Sequence, residues 1–298
     1  MINKFSNLLD SVKKKSIKKM VVAVPEDKEV MSAIKLTNEK NLIKPILVGD
    51  EQKILNISKK LNFDLKEFEI IDIKDSKKAC EKAVKLTNTG EADILMKGMV
   101  DTSTIMKEVL NKEYGLCTER LISHIAMFES STLGKLIFVT DGGMNIKPDL
   151  KQRKEIIENA IEVTNKLGYE EPKVAILAAI EKVNPNMEDT IQAAALSKMG
   201  DRNQIEGGII DGPLALDNAL SKEAAKIKGI ESPVAGEADI LHVRDIVSGN
   251  ILGKSSVYLA GEKMAAIIGG TTSPVVVTSR ANTAEIKMIS IATAVQML

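Results

Sequence analysis

From Met20 to Met99 short apolar runs and helix-length segments alternate, and that alternation limits the fold more than any other feature. Met20–Val24, Pro45–Val48, Glu69–Ile73 and Ala92–Met96 read as strands. Helices start after Asp27, at Gly49-Asp50 and at Asp75, and run to about Asn38, Leu61 and Thr87. Repeated strand–helix alternation predicts a parallel sheet with helices on its faces, an α/β fold. Ahead of it, Leu8, Leu9 and Val12 mark an opening helix, and Lys13–Lys15 with Lys18–Lys19 read as a solvated face.

The alternation resumes after a less regular region, Asn111–Ser131. That region holds Arg120 and His124, four apart, and a short strand over Ile125–Phe128. Leu136–Thr140 is a strand ending at Asp141-Gly142-Gly143, and a helix over Leu150–Leu167 is closed by Gly168. Val174–Ala178, Gly207–Asp211 and Ala238–His242 are further strands. The helix around Met187–Met199 ends at Gly200, another runs to about Lys228, and a helix-like stretch ends at Ile251. Asn250, Gly253 and Lys254 are expected in a connection, followed by a helix over Ser255–Ile268 that carries Gly261. A length of 298 residues allows one large domain or two of ordinary size. The domain change is placed near Ser130–Lys135.

The segment Gly269–Glu285 concentrates the chemistry. Val275–Thr278 is β-branched throughout, as a strand buried on both faces would be. Asn282 with Glu285 reads as an N-cap with its capping-box partner, and Ala284, Met288, Ile291, Val295 and Leu298 carry a helix to the end. Ser279 and Arg280 fall between strand and helix. In α/β sheets ligands bind there, beside helix N–H groups that attract anions. Arginine occurs only at positions 120, 153, 202, 244 and 280, the remaining positive charge being lysine. Arg280 therefore reads either as a bidentate grip on phosphate or carboxylate, or as a structural ion pair.

Composition excludes several function classes. Net charge is formally zero, which argues against a broad nucleic-acid surface but not against a local anion pocket. Two cysteines, Cys80 and Cys117, make neither a disulfide framework nor a zinc site, and two histidines, His124 and His242, argue against a histidine-rich metal centre. No apolar run approaches the roughly 20 residues of a membrane span, and Met1–Met20 lacks the apolar stretch of a signal peptide. The expected compartment is the cytoplasm. Aromatic residues make up 3% of the chain, so the core must be built from Ile, Val, Leu, Ala and Met.

Polar residues sit at several strand ends: Lys97–Thr102, Asp141–Asn145, Asp211–Asp217 and Ser279–Arg280. Each alone is also what helix capping needs; their joint pattern favours a site. Lys97-Gly98 after a strand suggests phosphate contact without being a P-loop. Gly249 lies one residue too near Gly253-Lys254-Ser255 to make one. No Gly-x-Gly-x-x-Gly follows the first strand, which disfavours a dinucleotide site.

Taken together, Lys263, Ala265-Ala266-Ile267, Gly269, Pro274-Val275-Val276 and Thr278-Ser279-Arg280-Ala281 resemble the phosphate acetyl/butyryltransferase family, its butyryl branch most closely. Met96–Thr102, Leu121–Phe128, Asp141–Asn145 and Asp211-Gly212-Pro213-Leu214 with Asp217 agree, so the resemblance spans nearly the whole chain. It implies two α/β domains around a cleft, as in isocitrate and isopropylmalate dehydrogenases. The first would be residues 1–132 plus 278–298, with the C-terminal helix returning to it, and the second residues 133–277. It implies reversible transfer of a short acyl group from coenzyme A to inorganic phosphate, without a covalent enzyme intermediate, a metal or a redox cofactor. Homo-oligomers are the family's habit.

On that reading Arg280 neutralises phosphate, and the Ser279 hydroxyl donates to the tetrahedral oxyanion, helped by N–H groups of the helix start. Lys97, Gly98, Asp101, Thr102, Arg120, His124, Asp141, Asn145, Asp211, Gly212 and Thr271 are the expected substrate contacts. The acetyl branch has an aspartate seven residues after the serine; Ile286 stands there in this chain, so no general base is assigned. Acyl preference, acetyl or butyryl, stays open. Two other readings compete. One is a metal- and NAD-dependent dehydrogenase of the same fold. The other is a non-catalytic acyl-CoA or phosphate sensor.

Overall fold

The structure is a computed structural model describing residues 1–298. In chain order its first elements are α1 (Phe5–Val12), β1 (Lys18–Ala23), α2 (Lys28–Glu39), β2 (Ile43–Gly49), α3 (Glu51–Lys60), β3 (Glu69–Asp72), α4 (Ser76–Asn88), β4 (Ile94–Lys97) and α5 (Thr102–Val109). Then come β5 (Ser123–Ser130), β6 (Lys135–Thr140), α6 (Leu150–Lys166), β7 (Lys173–Leu177), α7 (Glu188–Asp201), β8 (Ile209–Leu214), α8 (Leu216–Leu220), α9 (Lys222–Ile227), β9 (Ile240–His242) and α10 (Ile246–Tyr258). β10 (Lys263–Gly269), β11 (Val275–Val276) and α11 (Ala284–Met297) close the chain.

The chain divides into two compact units. One holds Phe5–Arg120 with Ala265–Leu298, the other Met1–Lys4 with Leu121–Met264. These boundaries differ from the expected 132/133 and 277/278 for a physical reason. β5 pairs antiparallel with β6 over Ile125–Ser130, which carries it into the later unit. β11 pairs with β4, and Ile268 of β10 with Val275, which draws Ala265–Val277 to the earlier one.

In the unit that contains both termini of the Ser279 motif, the strand order is β3-β2-β1-β4-β11-β10. All neighbours are parallel except β10 against β11. The register sets Ala23 beside Lys97, so the ends of β1 and β4 deliver their loops together. β1 and β4 are buried on both faces, as their unbroken apolar runs require. The helix starts follow from aspartates that accept backbone N–H bonds. Asp27 accepts from Val30, Asp50 from Lys53, and Asp75 from Lys77 and Lys78. α11 packs on α1 and α2 and is buried all round from Lys287 to Val295.

In the other unit the order is β5-β6-β9-β7-β8, parallel apart from β5 against β6. Ala126, Phe128, Ile137, Val139, Leu214, Leu241 and Val243 belong to its core. β8 runs through Pro213 instead of stopping at Asp211; at the edge of this sheet a missing N–H is tolerated.

Three expectations are corrected. α10 runs unbroken to Tyr258, so Asn250, Gly253 and Lys254 lie within it. The helix expected to continue to Ile268 gives way to the strand β10 from Lys263, whose Ala266 N–H donates to Ser290 Oγ of α11 (3.1 Å). The cap of α11 is Thr283, whose side chain accepts from the Ile286 N–H; Asn282 has another role, described below.

Candidate active site

Lys97 ends β4, and the loop after it crosses the end of β1. Gly98 N–H donates to Ala23 O (2.8 Å) and Met99 N–H to Val24 O (2.6 Å). An added Cβ at Gly98 would lie 2.1 Å from Val24 O, so only glycine fits. Val24 itself has a φ of 56°, uncommon for a β-branched residue and held by these bonds. The backbone donors expected to touch phosphate here are thus spent on the fold. What remains for an anion is the Lys97 side chain.

The Lys97 side chain is almost fully buried at 4% exposure. Its Nζ donates to Val100 O (3.0 Å) and Gly98 O (3.3 Å). Burial first, then the nearby Arg280 and Lys287 charges, hold its pKa below the usual lysine range, with Asp101 opposing. Lys287, on the first turns of α11, is 1% exposed, and its Nζ donates to Ser279 O (2.7 Å) and Asn282 O (2.8 Å). Burial lowers its pKa as well, against Asp27 and Glu29. Lysines are almost never buried unless paired with a charge. Here two are buried against carbonyls, beside a third cation, Arg280. Together with Asp27, Val30, Gly98, Met99, Thr278 and Ser279 they line one small depression.

The motif loop is a tight turn. Asn282 N–H donates to Ser279 O (3.1 Å), and Ser279 N–H donates to Asn282 Oδ1 (2.8 Å). Ala281 N–H donates to Ser279 Oγ (3.3 Å). That contact uses a lone pair of the hydroxyl and leaves its hydrogen free to donate. The N–H groups of the helix start are otherwise engaged. Ala284 N–H donates to Glu29 Oε2 (2.8 Å) and Ile286 N–H to Thr283 Oγ1 (3.4 Å), so they are not the oxyanion donors the sequence suggested. Arg280 Nη2 donates to Asp101 Oδ1 (2.6 Å), with both side chains more than half exposed. Asp101 stands at the N-cap of α5 yet makes no capping bond; its carboxylate serves Arg280 instead. Thr102 is exposed at the start of α5.

The structure therefore brings Lys97, Gly98, Asp101, Ser279 and Arg280 into one neighbourhood. Thr271 is bridged to Cys117, while Thr118 Oγ1 donates to Gly270 O (2.9 Å). Arg120 is half-buried at the end of this unit, its N–H donating to Thr118 Oγ1 (3.1 Å).

The remaining candidates belong to the other unit. Asp141 is buried, and its carboxylate accepts from Gly143 N–H (2.8 Å), Met144 N–H (3.0 Å), Asn145 N–H (3.2 Å) and Asn145 Nδ2 (2.6 Å). Asn145 Nδ2 also donates to Ile122 O (2.9 Å). Both side chains are committed to shaping the 141–145 loop. That loop lies against α10, where Gly249 would place a Cβ 2.6 Å from Gly142 Cα. His124 packs on Gly143 and has a buried, unpartnered Nδ1; burial lowers its pKa against the opposing charge of Asp141. Asp211 Oδ1 accepts from Ser197 Oγ (3.2 Å) and Gly212 N–H (2.8 Å), and a Cβ at Gly212 would strike Ile176. No three His, Cys, Asp or Glu side chains gather as a metal ligand set.

Lys287 is the residue that sequence reasoning missed. Its signal was present: one lysine in a helical stretch, Ile286–Val295, whose other polar residues are only Ser290 and Thr293.

The profile of the phosphate acetyl/butaryl transferase family matches residues 4–85 and 76–295. A phosphate butyryltransferase of Clostridium beijerinckii is 47% identical over 99% of this chain and 97% of its own length. This chain belongs to the phosphate acetyl/butaryl transferase family. A phosphate acetyltransferase of Thermotoga maritima is 44% identical over 92% of this chain and 93% of its own. Among solved structures, a branched-chain phosphotransacylase from Enterococcus faecalis superposes with a TM-score of 0.83 at 33% identity, covering 94% of this chain and 99% of that one.

Proposed function

We propose that this chain catalyses reversible transfer of a short acyl group from its coenzyme A thioester to inorganic phosphate, giving acyl phosphate and free coenzyme A. The observation that carries the reading is the convergence of Lys97, Arg280 and Lys287 on the loop that presents the Ser279 hydroxyl, in a chain of this family. Arg280 holds phosphate through charge-assisted bonds, and the two buried lysines raise the local positive potential. A phosphate oxygen attacks the thioester carbonyl carbon, and the oxyanion that forms accepts a hydrogen bond from Ser279 Oγ. The C–S bond then breaks, and the departing thiolate leaves as coenzyme A, protonated from solvent or phosphate. No protein nucleophile takes part. Cys80 is unsuited to it, because burial pushes its thiol up to about 12.

Butyryl or a branched acyl group of similar size is the proposed substrate, supported by the Clostridium relative and the Enterococcus structure through their names. The reaction as written needs neither a metal nor a redox cofactor. A homo-oligomeric state finds support in the exposed apolar residues Val247, Ile251 and Tyr258 of α10, with Leu259 just beyond it. The deciding experiment follows thiol release from butyryl-CoA by the purified protein, with and without phosphate, in the presence of a chelator. Phosphate-dependent release supports the reading, and acetyl-, propionyl- and valeryl-CoA then map chain length. No release with any ester refutes it.

A further inference from the structure

We infer that Lys287 is a positioning residue for the reaction, setting the Ser279 hydroxyl by tethering its loop from beneath. The inference rests on the proposed acyl transfer. Nothing about the charge of Lys287 requires its burial for folding, since a methionine would fill the same place in an apolar helix at lower desolvation cost. Its ammonium instead bonds the carbonyls at both ends of the turn, Ser279 O at 2.7 Å and Asn282 O at 2.8 Å. The same turn is closed from above by Asn282, which accepts from Ser279 N–H at 2.8 Å and donates to Ser279 O at 3.1 Å. Ser279 O thus accepts two hydrogen bonds and Ser279 N–H donates one. Both peptide groups of the reacting residue are fixed before substrate arrives. The loop is otherwise exposed at Ser279, Arg280 and Ala281, so it has little packing to hold it. A rigid hydroxyl costs less reorganisation when charge develops on the oxyanion. Beyond the positive potential it adds, Lys287 acts through Ser279 without touching substrate, and its anchor is α11, the most enclosed helix of this unit.

The test uses the full chain with two substitutions. Lys287→Met removes both tether bonds and the charge; Asn282→Ala keeps the charge and removes the side-chain bond to Ser279. Steady-state thiol release from butyryl-CoA is measured below each variant's own melting temperature. Hydrogen exchange at the Ser279 and Asn282 amides is measured alongside. The expected result is a kcat reduced roughly 10- to 100-fold for Lys287→Met and roughly 5- to 20-fold for Asn282→Ala. The KM for the CoA ester should stay within about twofold, and the Ser279 amide should exchange at least about tenfold faster. A merely structural lysine would lower the melting temperature and leave kcat per folded molecule unchanged. A kcat within about threefold of wild type for Lys287→Met overturns the inference, whatever the exchange or Asn282→Ala shows. Should Lys287→Met not fold, Lys287→Gln, whose shorter side chain carries no charge, takes its place and is judged by the same limits. A wild-type chain that releases no thiol refutes the proposed function instead; the exchange comparison then decides separately whether Lys287 orders the loop.

Discussion

Replacing Gly98 with alanine tests the architecture of the site at its tightest point. The added Cβ would sit 2.1 Å from Val24 O, 2.6 Å from Ala23 O and 2.7 Å from Val24 C. Ordinary contact begins at 3.4 Å, so backbone must move by about 1.3 Å against backbone, with no flexible side chain to absorb the change. That movement breaks the bonds from Gly98 N–H to Ala23 O and from Met99 N–H to Val24 O. Losing two such bonds costs roughly 1 kcal/mol each, and overpacking roughly 1–3 kcal/mol more. The expected destabilisation is therefore about 3–5 kcal/mol. Gly134→Ala is the control: its φ is +66° but nothing lies within 4 Å, so its cost is conformational, about 1–2 kcal/mol. Urea unfolding of the three proteins under one buffer gives the comparison. If Gly98→Ala is no less stable than Gly134→Ala, the close approach of the two loops is not what holds this site together. Because Lys97 Nζ also bonds Gly98 O, surviving activity at moderate temperature should fall with it.

Other outcomes are as specific. Ser279→Ala should lower kcat by roughly 10²- to 10³-fold while the CoA-ester KM changes little, as expected of an oxyanion donor; steady-state kinetics with butyryl-CoA check it, and an unchanged kcat removes the assigned role. The chain should lose stability on the acid side. His124 and His242 both have pKa values held below 6.5 by burial, His242 further by Arg153, so the unfolded chain takes up protons that the native one refuses. The stability present above about pH 6.5 falls as pH drops below it, by up to about 1.4 kcal/mol per pH unit for each histidine. Melting temperatures between pH 7.5 and 5 measure this, and a flat profile refutes neutral burial of the pair.

Much of the fold was readable because each strand–helix unit carries its own local punctuation. Asp27, Asp50 and Asp75 cap the helices where spacing placed them, and Val22, Leu47 and Leu95 are buried as strand residues. Reading failed where tertiary contacts outvote local preference. Met264-Ala265-Ala266 has good helix formers, yet the segment is a strand because Ile268 pairs with Val275 and Ser290 reaches Ala266. The helix expected to run to Lys228 is two, since Ser221 ends α8 and caps α9 through its bond to Ala224 N–H. At the site, Ser279 and Arg280 were legible from their place between strand and helix and the scarcity of arginine. The bond of Ser279 to Asn282, the Lys287 tether and the commitment of the Asp141 carboxylate to its own loop depend on side-chain directions that spacing does not encode.

On the proposed role of Arg280, its contact with Asp101 makes anion binding competitive. The guanidinium is already occupied by a carboxylate at 2.6 Å, so an arriving dianion exchanges one anion for another instead of replacing water alone. An exposed pair of this kind is worth at most about 1 kcal/mol, which weakens capture by about fivefold at most. On the same proposal the exchange would run backwards at the end of turnover, with Asp101 reclaiming Arg280 as the charged product departs. A carboxylate poised in this way trades affinity for speed of release, which suits an enzyme whose reaction must run in either direction.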